Sequence, residues 1–476
     1  MKTISFLWLI LSSSVGLVAQ SGIKNEVKIF CEDPCFSHAS LSMYVADLTN
    51  DDVIIEHQSQ SALPPASLVK IFTTLAGLQV LGTDFVFRTQ IGFTGSIEVD
   101  QLVGDLIIRG SGDPSLGSRY TGAESFAEFL DIVVNMVKAQ GIRSIKGDIV
   151  GDSQALPKLG VGRTWPYQDL GNYYGAGAYG LNVHDNLFYI RFTQSATGNP
   201  ANVQTTYPEV PGLTLLSRVI SGEEGSGDQA YVFAAPFQEE LSMHGSIPPG
   251  SHTFTIKGAL PDPAKFLAHH VKKKLIAQGI TVEGEARSNY LGTSQSFTLL
   301  DEIASDGLAE IVAIANQHSV NLYAEAIGRQ LEREIGSYGS NALTSFFNQV
   351  DADVRGCRFT DYAGLAPDNA ITAKAMVNVL HYIHAEPTMY QTFLQSMAIA
   401  GHSGTMRHMF RNSRAKGKIF AKSGLIEGTR NYAGYMHAPS GDVVAFCIMT
   451  FNAECDRKVV QGKLEQLLES VYLSLQ

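Results

Sequence analysis

Positive charge is scarce in this chain relative to negative charge. The 476 residues include 35 lysines and arginines against 46 aspartates and glutamates, which gives a formal net charge of −11. Nucleic-acid-binding proteins usually carry the opposite imbalance, so we expect no nucleic acid among the partners. The hydrophobic share of 45% is that of an ordinary globular protein. The chain is too long for one hydrophobic core, so two or three domains are expected.

Long apolar runs are also few. One lies at the start of the chain, where Lys2 is followed by an apolar stretch over residues 4–11 and then by small residues up to Ala19. This pattern predicts a signal peptide at residues 1–19. No later run is long enough to span a bilayer, so we predict no transmembrane anchor. The product should be periplasmic or otherwise exported, and soluble or peripherally membrane-associated.

Cysteine is limited to five residues, without a Cys-x-x-Cys pair. An odd number excludes a fully paired set within one chain. In an oxidising compartment Cys31 and Cys35 are close enough to pair, as are Cys447 and Cys455 across a strand end; the alternative for Cys447 is a place in the core. The histidines lack the spacing of a zinc protease, and the glycine-rich stretch at residues 175–180 lacks the preceding strand of a dinucleotide site. We therefore expect no metal and no cofactor.

The most informative stretch is Ser67-Leu68-Val69-Lys70. Prolines at positions 64 and 65 disfavour helix before it. The apolar residues after it fit a helix that ends near Gly82, which places Ser67 at a helix N-terminus and Lys70 one turn away on the same face. A buried lysine beside a second cation can lose its proton and serve as the base for a serine nucleophile.

This tetrapeptide alone is weak evidence, since a second copy stands at Ser413-Arg414-Ala415-Lys416. We interpret that second copy as ordinary loop polarity, and Ser67 with Lys70 by themselves would be more simply explained as a serine helix cap with a solvated lysine. Two rarer elements, Ser319-Val320-Asn321 and Lys422-Ser423-Gly424, change that interpretation. In this order the three resemble the active-site set of serine enzymes that attack D-alanyl peptides and β-lactams.

The second and third elements also have predicted structural settings. Ser319 and Asn321 interrupt a helical region at residues 306–332, and a short loop there would let both side chains point into one cleft. Lys422 lies in a predicted strand at 418–425, nearer the sheet edge, where an extended peptide could pair. Gly424 would permit close approach of that peptide, and Lys422 with Ser423 would suit its terminal carboxylate.

The remaining pattern divides the chain into a core and an insertion. Further core strands are predicted at residues 39–48, 53–57, 431–437 and 442–451, with a closing helix at 456–475. The strand at 442–451 is apolar throughout, so it should be central and buried on both faces. Between residues 87 and 290 the pattern changes to short strands and glycine-rich turns, with helices at 125–140 and 263–278.

We interpret this change as a domain inserted into a domain. A catalytic domain would comprise residues 20–89 and 290–476, and inserted domain II residues 90–164 and 261–289. Domain III, at residues 165–260, would be nested within domain II.

The three motifs in this order resemble those of the low-molecular-mass class C penicillin-binding proteins, which are D-alanyl-D-alanine carboxypeptidases and endopeptidases. The long gap between Ser67 and Ser319 is the signature of that subgroup. Two departures are visible, because Val320 stands where an acidic or amide residue is usual and Ser423 replaces the commoner threonine. Other stretches similar to the family are Gly110-Ser111-Gly112-Asp113-Pro114, Tyr174-Gly175-Ala176, Asn182, Asp185-Asn186, Asp361-Tyr362-Ala363-Gly364-Leu365, Asn369, Gly404-Thr405 and Arg407.

The resemblance implies a fold and a set of catalytic residues. The fold would be an α/β (α+β) core of the β-lactamase/transpeptidase type, an antiparallel sheet flanked by helices, with two mainly β inserted domains. Ser67 would be the nucleophile and Lys70 its base. Ser319, with Lys422 nearby, would pass a proton to the leaving amine, and Asn321 would hold the acyl-side amide.

The resemblance also implies the substrate and its binding residues. Ser423, Gly424 and Leu425 would bind substrate, and the backbone amides of Ser67 and Leu425 would form the oxyanion hole. The substrates would be peptidoglycan stem peptides and cross-links, with β-lactam antibiotics as covalent inhibitors. The alternatives are a β-lactamase or related serine esterase, and a non-catalytic cell-wall binding protein. The latter would need a broken motif, and none of the three is broken.

Overall fold

The computed structural model describes residues 22–121, 125–291, 297–337, 339 and 341–475. The predicted signal peptide at residues 1–19 lies outside the described residues. The strands, in chain order, are β1 (Ser40–Asp47), β2 (Asp52–His57), β3 (Arg88–Phe93), β4 (Ser96–Glu98), β5 (Gln101–Val103), β6 (Leu106–Arg109), β7 (Ser144–Ile145), β8 (Ile149–Asp152), β9 (Leu187–Thr193), β10 (Asn202–Tyr207), β11 (Thr214–Ser217), β12 (Ile220–Ser221), β13 (Tyr231–Phe233), β14 (Glu240–His244), β15 (Ser246–Ile247), β16 (Thr253–Ala259), β17 (Thr281–Val282), β18 (Ala286–Asn289), β19 (Thr298–Ala304), β20 (Ala398–Ile399), β21 (Ile419–Gly424), β22 (Asn431–His437) and β23 (Val443–Phe451).

Helices lie between these strands and at the chain ends. The α-helices are α1 (residues 22–31), α2 (Val69–Leu81), α3 (Phe126–Ala139), α4 (Tyr167–Leu170), α5 (Pro263–Ala277), α6 (Leu308–Gln317), α7 (Asn321–Ile335), α8 (Asn341–Gln349), α9 (Ala373–His384), α10 (Pro387–Ser396) and α11 (Arg457–Ser474). Within the described ranges, no helix combines the length and the apolar character needed to cross a membrane.

The chain forms two compact units. The first comprises the described residues of Met1–Val80 together with Val312–Ser319 and Ile335–Gln476, and the second comprises Leu81–Ile311 and Val320–Glu334. The first unit contains a six-stranded sheet in the order β2-β1-β23-β22-β21-β20, antiparallel at every pairing. Its strands come from segments near the two ends of the chain, as the sequence pattern predicted.

Strand β23 is central in this sheet and buried on both faces. Phe446 and Ile448 belong to a core cluster that also holds Leu464 and Leu468 of α11. Successive side chains of a strand alternate between faces, so Ala445 and Cys447 point to the other side, where α9 packs. All four β23 side chains are fully buried. The prediction of a central strand covered on both faces is confirmed.

Helix α11 closes the first unit, at the position of the predicted closing helix. Val460, Leu464, Leu468 and Val471 are buried, and their spacing keeps them on one side of the helix. Val459 lies outside that face and is 45% exposed, because one residue along a helix rotates a side chain by about 100°.

The disulfide pairing differs from the expectation. Cys35 is bonded to Cys455, whereas Cys31 and Cys447 carry free thiols. The predicted pairs Cys31–Cys35 and Cys447–Cys455 are therefore wrong. The reason is the register of β1 against β23, in which the first residue of β1 lies opposite the last residue of β23. The chain just before β1 and the chain just after β23 thus meet at one end of the sheet.

The second unit contains several smaller sheets. Two of them have the orders β18-β8-β6-β3-β19 and β17-β7-β5-β4, and three others have the orders β10-β9-β16, β11-β14-β13 and β12-β15. Strands β5 and β6 are separated by Gly104 and Asp105 and belong to different sheets. Strands β3 and β19 pair with each other. The predicted boundary at residue 89 cuts through β3, and the predicted boundary at residue 290 places β19 in the catalytic domain.

Candidate active site

The turn that presents Ser67 is a single 3-10 turn, Ala66–Leu68, that leads directly into α2. Ala66 has φ of +50°, in the left-handed region that a residue with a side chain rarely adopts. Leu68 and Val69 are fully buried, whereas Ser67 keeps partial exposure. The left-handed φ of Ala66 strains the backbone. Such strain persists only where the surrounding structure enforces it, and strained residues cluster at functional sites.

Lys70 is fully buried behind Ser67. Its Nζ donates to Ser67 Oγ at 3.0 Å and to the carbonyl oxygen of Ala363 at 2.7 Å. The predicted one-turn relationship between the serine and the lysine is therefore present as a direct hydrogen bond. The hydrogen bond to Ala363 helps to orient Lys70 Nζ toward Ser67, because the amine then has two partners in different directions.

The loop that supplies Ala363 is organised by a buried carboxylate. Asp361 accepts hydrogen bonds from the backbone amides of Gly364, Leu365 and Ala366 at 2.7–2.8 Å. A Cβ on Gly364 would lie 1.9 Å from the carbonyl oxygen of Ala66, so only glycine allows this loop to reach the Ser67 turn. The family-like stretch at residues 361–365 thus supports both Ser67 and Lys70.

Lys422, on β21, is the second buried lysine of the site. Its Nζ donates to Ser319 Oγ at 2.8 Å and to the carbonyl oxygen of Ser423 at 2.7 Å. Burial, and then the positive charge of Lys70, hold the pKa of Lys422 well below its usual range. The two lysines are close enough to repel each other, as the sequence argument required for a neutral amine.

Ser319 lies between α6 and α7, in the short junction that the sequence predicted. Its φ is +58°, a second left-handed residue at this site. The segment before it is held in place by Asn316, whose Nδ2 donates to Thr74 Oγ1 at 3.2 Å and to Ser396 Oγ at 2.9 Å. Thr74 Oγ1 in turn donates to the carbonyl oxygen of Lys70 at 2.6 Å. A buried polar network therefore connects the helix of Lys70 with the segment that carries Ser319.

Asn321, the first residue of α7, belongs to the second unit. Its Nδ2 donates to the carbonyl oxygen of Tyr174 at 2.7 Å. Tyr174 is anchored in that unit by a 3.1 Å hydrogen bond from its hydroxyl to Asp169. The structure thus brings Ser67 together with Lys70, and Ser319 together with Lys422, in the first unit, while Asn321 is held by contacts within the second.

The predicted substrate-binding residues follow Lys422 along β21. Ser423 is partly exposed and Leu425 is 41% exposed, whereas Gly424 is buried. A Cβ on Gly424 would lie 2.4 Å from the carbonyl oxygen of Pro65. The turn before Ser67 thus requires glycine at this position. The close approach of a substrate backbone to Gly424 stays a prediction.

Asn431 is a supporting residue that the sequence argument missed. Its Nδ2 donates to the carbonyl oxygen of Pro64 at 2.9 Å, and its Oδ1 accepts from the amide of Thr450 at 2.9 Å. It therefore ties the segment before Ser67 to the central sheet. Nothing in the sequence around a single asparagine indicates that its side chain supports a segment elsewhere in the chain. No group of His, Cys, Asp and Glu side chains suited to a metal ion occurs in the part of the chain that the structure describes.

Comparison with known proteins assigns the chain to a family. The family model described as D-Ala-D-Ala carboxypeptidase 3 (S13) matches residues 23–471. The D-alanyl-D-alanine carboxypeptidase of Actinomadura sp. (strain R39) is 27% identical over 463 residues, which cover 92% of this chain and 84% of the relative. D-alanyl-D-alanine carboxypeptidase DacB of Haemophilus influenzae is 23% identical over 418 residues, or 86% of this chain and 84% of the relative.

A solved structure shows the same fold. The crystal structure of penicillin binding protein 4 from Haemophilus influenzae has a TM-score of 0.80 at 21% identity, and covers 92% of this chain and 97% of that one. The predicted fold class is confirmed, as is the prediction of a serine-type D-Ala-D-Ala carboxypeptidase. The chain belongs to the D-Ala-D-Ala carboxypeptidase 3 (S13) family.

Proposed function

We propose that Ser67 is the residue through which this carboxypeptidase forms its acyl-enzyme. The observation that carries the proposal is the 3.0 Å hydrogen bond between Lys70 Nζ and Ser67 Oγ in a fully buried setting. Lys70 and Lys422 are both buried and their positive charges would repel each other, so at most one of the two side chains is protonated at a time. The other is a neutral amine, which can accept the proton of Ser67.

The reaction then follows from the placement of the two lysine–serine pairs. Ser67 Oγ attacks the carbonyl carbon between two D-alanines as its proton moves to Lys70. Collapse of the tetrahedral intermediate breaks the peptide bond, and Ser319, supported by Lys422, relays the proton taken up by Lys70 to the leaving amine, so that both serine–lysine pairs keep their protons in balance. Water then hydrolyses the ester and regenerates Ser67. Asn321 holds the acyl-side amide, a role that rests on the motif.

The substrate strand lies along β21. Strand β20 pairs with β21 only at Ala421 and Phe420, among the described residues, so β21 has room beyond them for an extended peptide. Ser423, with Lys422, suits the terminal carboxylate, and Gly424 keeps β21 close to the Ser67 turn. The amides of Ser67 and Leu425 bind the oxyanion.

The substrates are peptidoglycan stem peptides, and cross-links between them are cleaved as well. Both activities break a bond on the carboxyl side of a D-alanine, so one acyl-enzyme mechanism serves both. β-Lactam antibiotics acylate Ser67 because their strained amide occupies the same position as the scissile bond.

The protein acts outside the cytoplasm. The predicted signal peptide and the Cys35–Cys455 disulfide support export, because disulfides persist mainly in oxidising compartments.

The catalytic domain consists of two chain-terminal parts, predicted at residues 20–89 and 290–476, around inserted domains II and III. The six-stranded sheet supports this division, since each of its strands comes from those two parts. Because β3 pairs with β19, we place the boundaries of the insertion just before Arg88 and just after Ala304, so that both strands belong to the insertion.

Purified protein and defined muropeptides test this function. The expected products are free D-alanine from a monomeric pentapeptide and two monomers from a cross-linked dimer. The Ser67→Ala variant should yield neither product. Rapid turnover of penicillin without release of D-alanine would instead identify a β-lactamase.

A further inference from the structure

A basic segment on the surface of the first unit takes no part in the proposed mechanism. We call residues 407–418 the basic segment, because five of its side chains are cations: Arg407, Arg411, Arg414, Lys416 and Lys418. No aspartate or glutamate occurs in the sequence between Glu386 and Glu427. The whole chain carries a net charge of −11, so this concentration of positive charge departs from the rest of the molecule.

Buried anchors fix the basic segment on the core of the first unit. Met406, Met409, Phe410 and Ala415 belong to the core cluster that also contains Leu464 of α11. Each of these four anchors is at most 1% exposed, whereas all five cations between and beside them are exposed. The cations therefore point outward from a fixed stretch of backbone.

Turns hold the cations close together. The amide of Lys416 donates to the carbonyl oxygen of Ser413 at 3.3 Å, and the amide of Lys418 donates to that of Ala415 at 3.0 Å. The amide of Gly417 donates to the carbonyl oxygen of residue 400, next to β20, at 2.9 Å. Extension of the segment would separate the like charges, but it would break these hydrogen bonds and expose the apolar anchors. The positive charges thus stay grouped.

The protein supplies little negative charge to balance the basic segment. Among the residues that the structure describes, none of the five cations forms an ion pair with a carboxylate. Arg411 Nη2 contacts His408 Nδ1, which is not an acidic group. Glu465 of α11 accepts a hydrogen bond from the amide of Phe410, so one carboxylate lies beside the segment and offsets part of its charge. An excess of positive charge remains for anions from outside the protein.

The arrangement of the cations indicates the kind of anion. Three of the five are arginines, whose guanidinium groups bind phosphate oxygens through two parallel hydrogen bonds. All five side chains are exposed, so they form an outward-facing array and not a closed pocket for one small anion. Single-stranded nucleic acid would also require exposed aromatic side chains, whereas the one phenylalanine of the segment, Phe410, is buried. Phospholipid head groups fit the array, since each carries a phosphate and many lie in one plane.

We propose that the basic segment binds the anionic phospholipid surface of a membrane. Groups of about four to eight lysines and arginines bind anionic lipid by electrostatic attraction, and each cation near the surface strengthens binding by about fivefold. Such binding is reversible, and it weakens as salt screens the charges. The inference concerns where the enzyme is held and does not depend on the acyl-enzyme mechanism.

Co-sedimentation with vesicles tests the proposal. Exported protein is mixed with vesicles of equal parts phosphatidylglycerol and phosphatidylcholine, or of phosphatidylcholine alone. The wild type should sediment only with the anionic vesicles, and its partition coefficient should fall as sodium chloride is raised. The triple variant Arg411→Gln, Arg414→Gln, Lys416→Gln should bind about fivefold more weakly for each cation removed, or about a hundredfold in total.

A second triple variant is the matched control. Lys146, Arg191 and Arg218 are exposed cations of the second unit, and none forms an ion pair with a described carboxylate. Their replacement by glutamine changes the net charge equally, and this variant should bind the anionic vesicles as the wild type does. Both variants should be labelled by penicillin at the wild-type rate, which shows that they are folded. The single variant Lys416→Gln should lose about fivefold, and it replaces the first triple variant if that protein does not fold.

Two results would overturn the proposal: no binding of the wild type to the anionic vesicles, or equal losses of binding in the two triple variants. Isolated peptidoglycan sacculi distinguish a third case. Loss of sacculus binding in the Arg411→Gln, Arg414→Gln, Lys416→Gln variant, without vesicle binding by the wild type, would assign the basic segment to a wall polymer and contradict a membrane role.

Discussion

The side-chain amine of Lys422 lies 2.8 Å from Ser319 Oγ at a position with no solvent exposure. Burial and the charge of Lys70 lower the pKa of Lys422. The folded protein therefore binds fewer protons at this site than the unfolded chain, in which lysine titrates near 10.4. The contribution of the site to stability is largest above the unfolded pKa and falls as pH decreases toward the lowered folded value.

Replacement of Lys422 by methionine should raise stability at neutral pH while abolishing acylation. The substitution removes a buried charge that the fold tolerates for catalysis, so we expect the apparent unfolding temperature to rise by a few degrees at pH 7. The gain should shrink as pH rises toward the unfolded pKa near 10.4, above which Lys422 is neutral in both states. Thermal unfolding between pH 6 and 10 measures this, with Lys418→Met as the exposed lysine control. A lower unfolding temperature for Lys422→Met at pH 7 would contradict this. It would show that the hydrogen bonds of Lys422 stabilise the folded protein by more than the burial of its amine destabilises it.

Lys70→Arg should lose acylation although it keeps the positive charge. A guanidinium does not deprotonate near neutral pH, so it cannot accept the proton of Ser67. We expect the rate of acylation by a fluorescent penicillin to fall by about 10²–10⁴-fold, the usual size of general-base catalysis. Lys416→Arg, in the second Ser-x-x-Lys sequence, is the matched control and should react at the wild-type rate. Near-normal acylation of Lys70→Arg would mean that another group is the base.

Gly424→Ala should slow acylation without unfolding the protein. The added Cβ would lie 2.4 Å from the carbonyl oxygen of Pro65, so β21 and the Ser67 turn must move apart. We expect a loss of about tenfold or more in acylation rate, since small displacements of reacting groups are costly. Gly462→Ala, in α11, has no atom within 4 Å of the new Cβ and serves as the control. Equal acylation rates for the two variants would show that the contact with Pro65 does not position Ser67.

Sequence reasoning succeeded where function depends on local spacing. Ser67 and Lys70 are one helical turn apart, so their contact follows from the motif. The apolar run of β23 was sufficient to place it at the centre of the sheet, because only a strand covered on both faces requires such a run.

What sequence reasoning missed depends on contacts between distant segments. The Cys35–Cys455 bond follows from the register of β1 against β23, which spacing along the chain does not reveal. Asn431 supports the Ser67 turn only because β22 lies beside the segment of Pro64. The contact between Gly424 and the carbonyl oxygen of Pro65 was not foreseen either, because the position of Pro65 beside β21 cannot be read from residue order.

The most direct test of the account is the site of covalent labelling. Wild-type protein is incubated with benzylpenicillin, the intact mass is measured, and the modified residue is located by peptide mapping. We predict one added penicilloyl group on Ser67, no label on Ser67→Ala, and full labelling of Ser413→Ala. A label on Ser413, or a label that persists in Ser67→Ala, would contradict it.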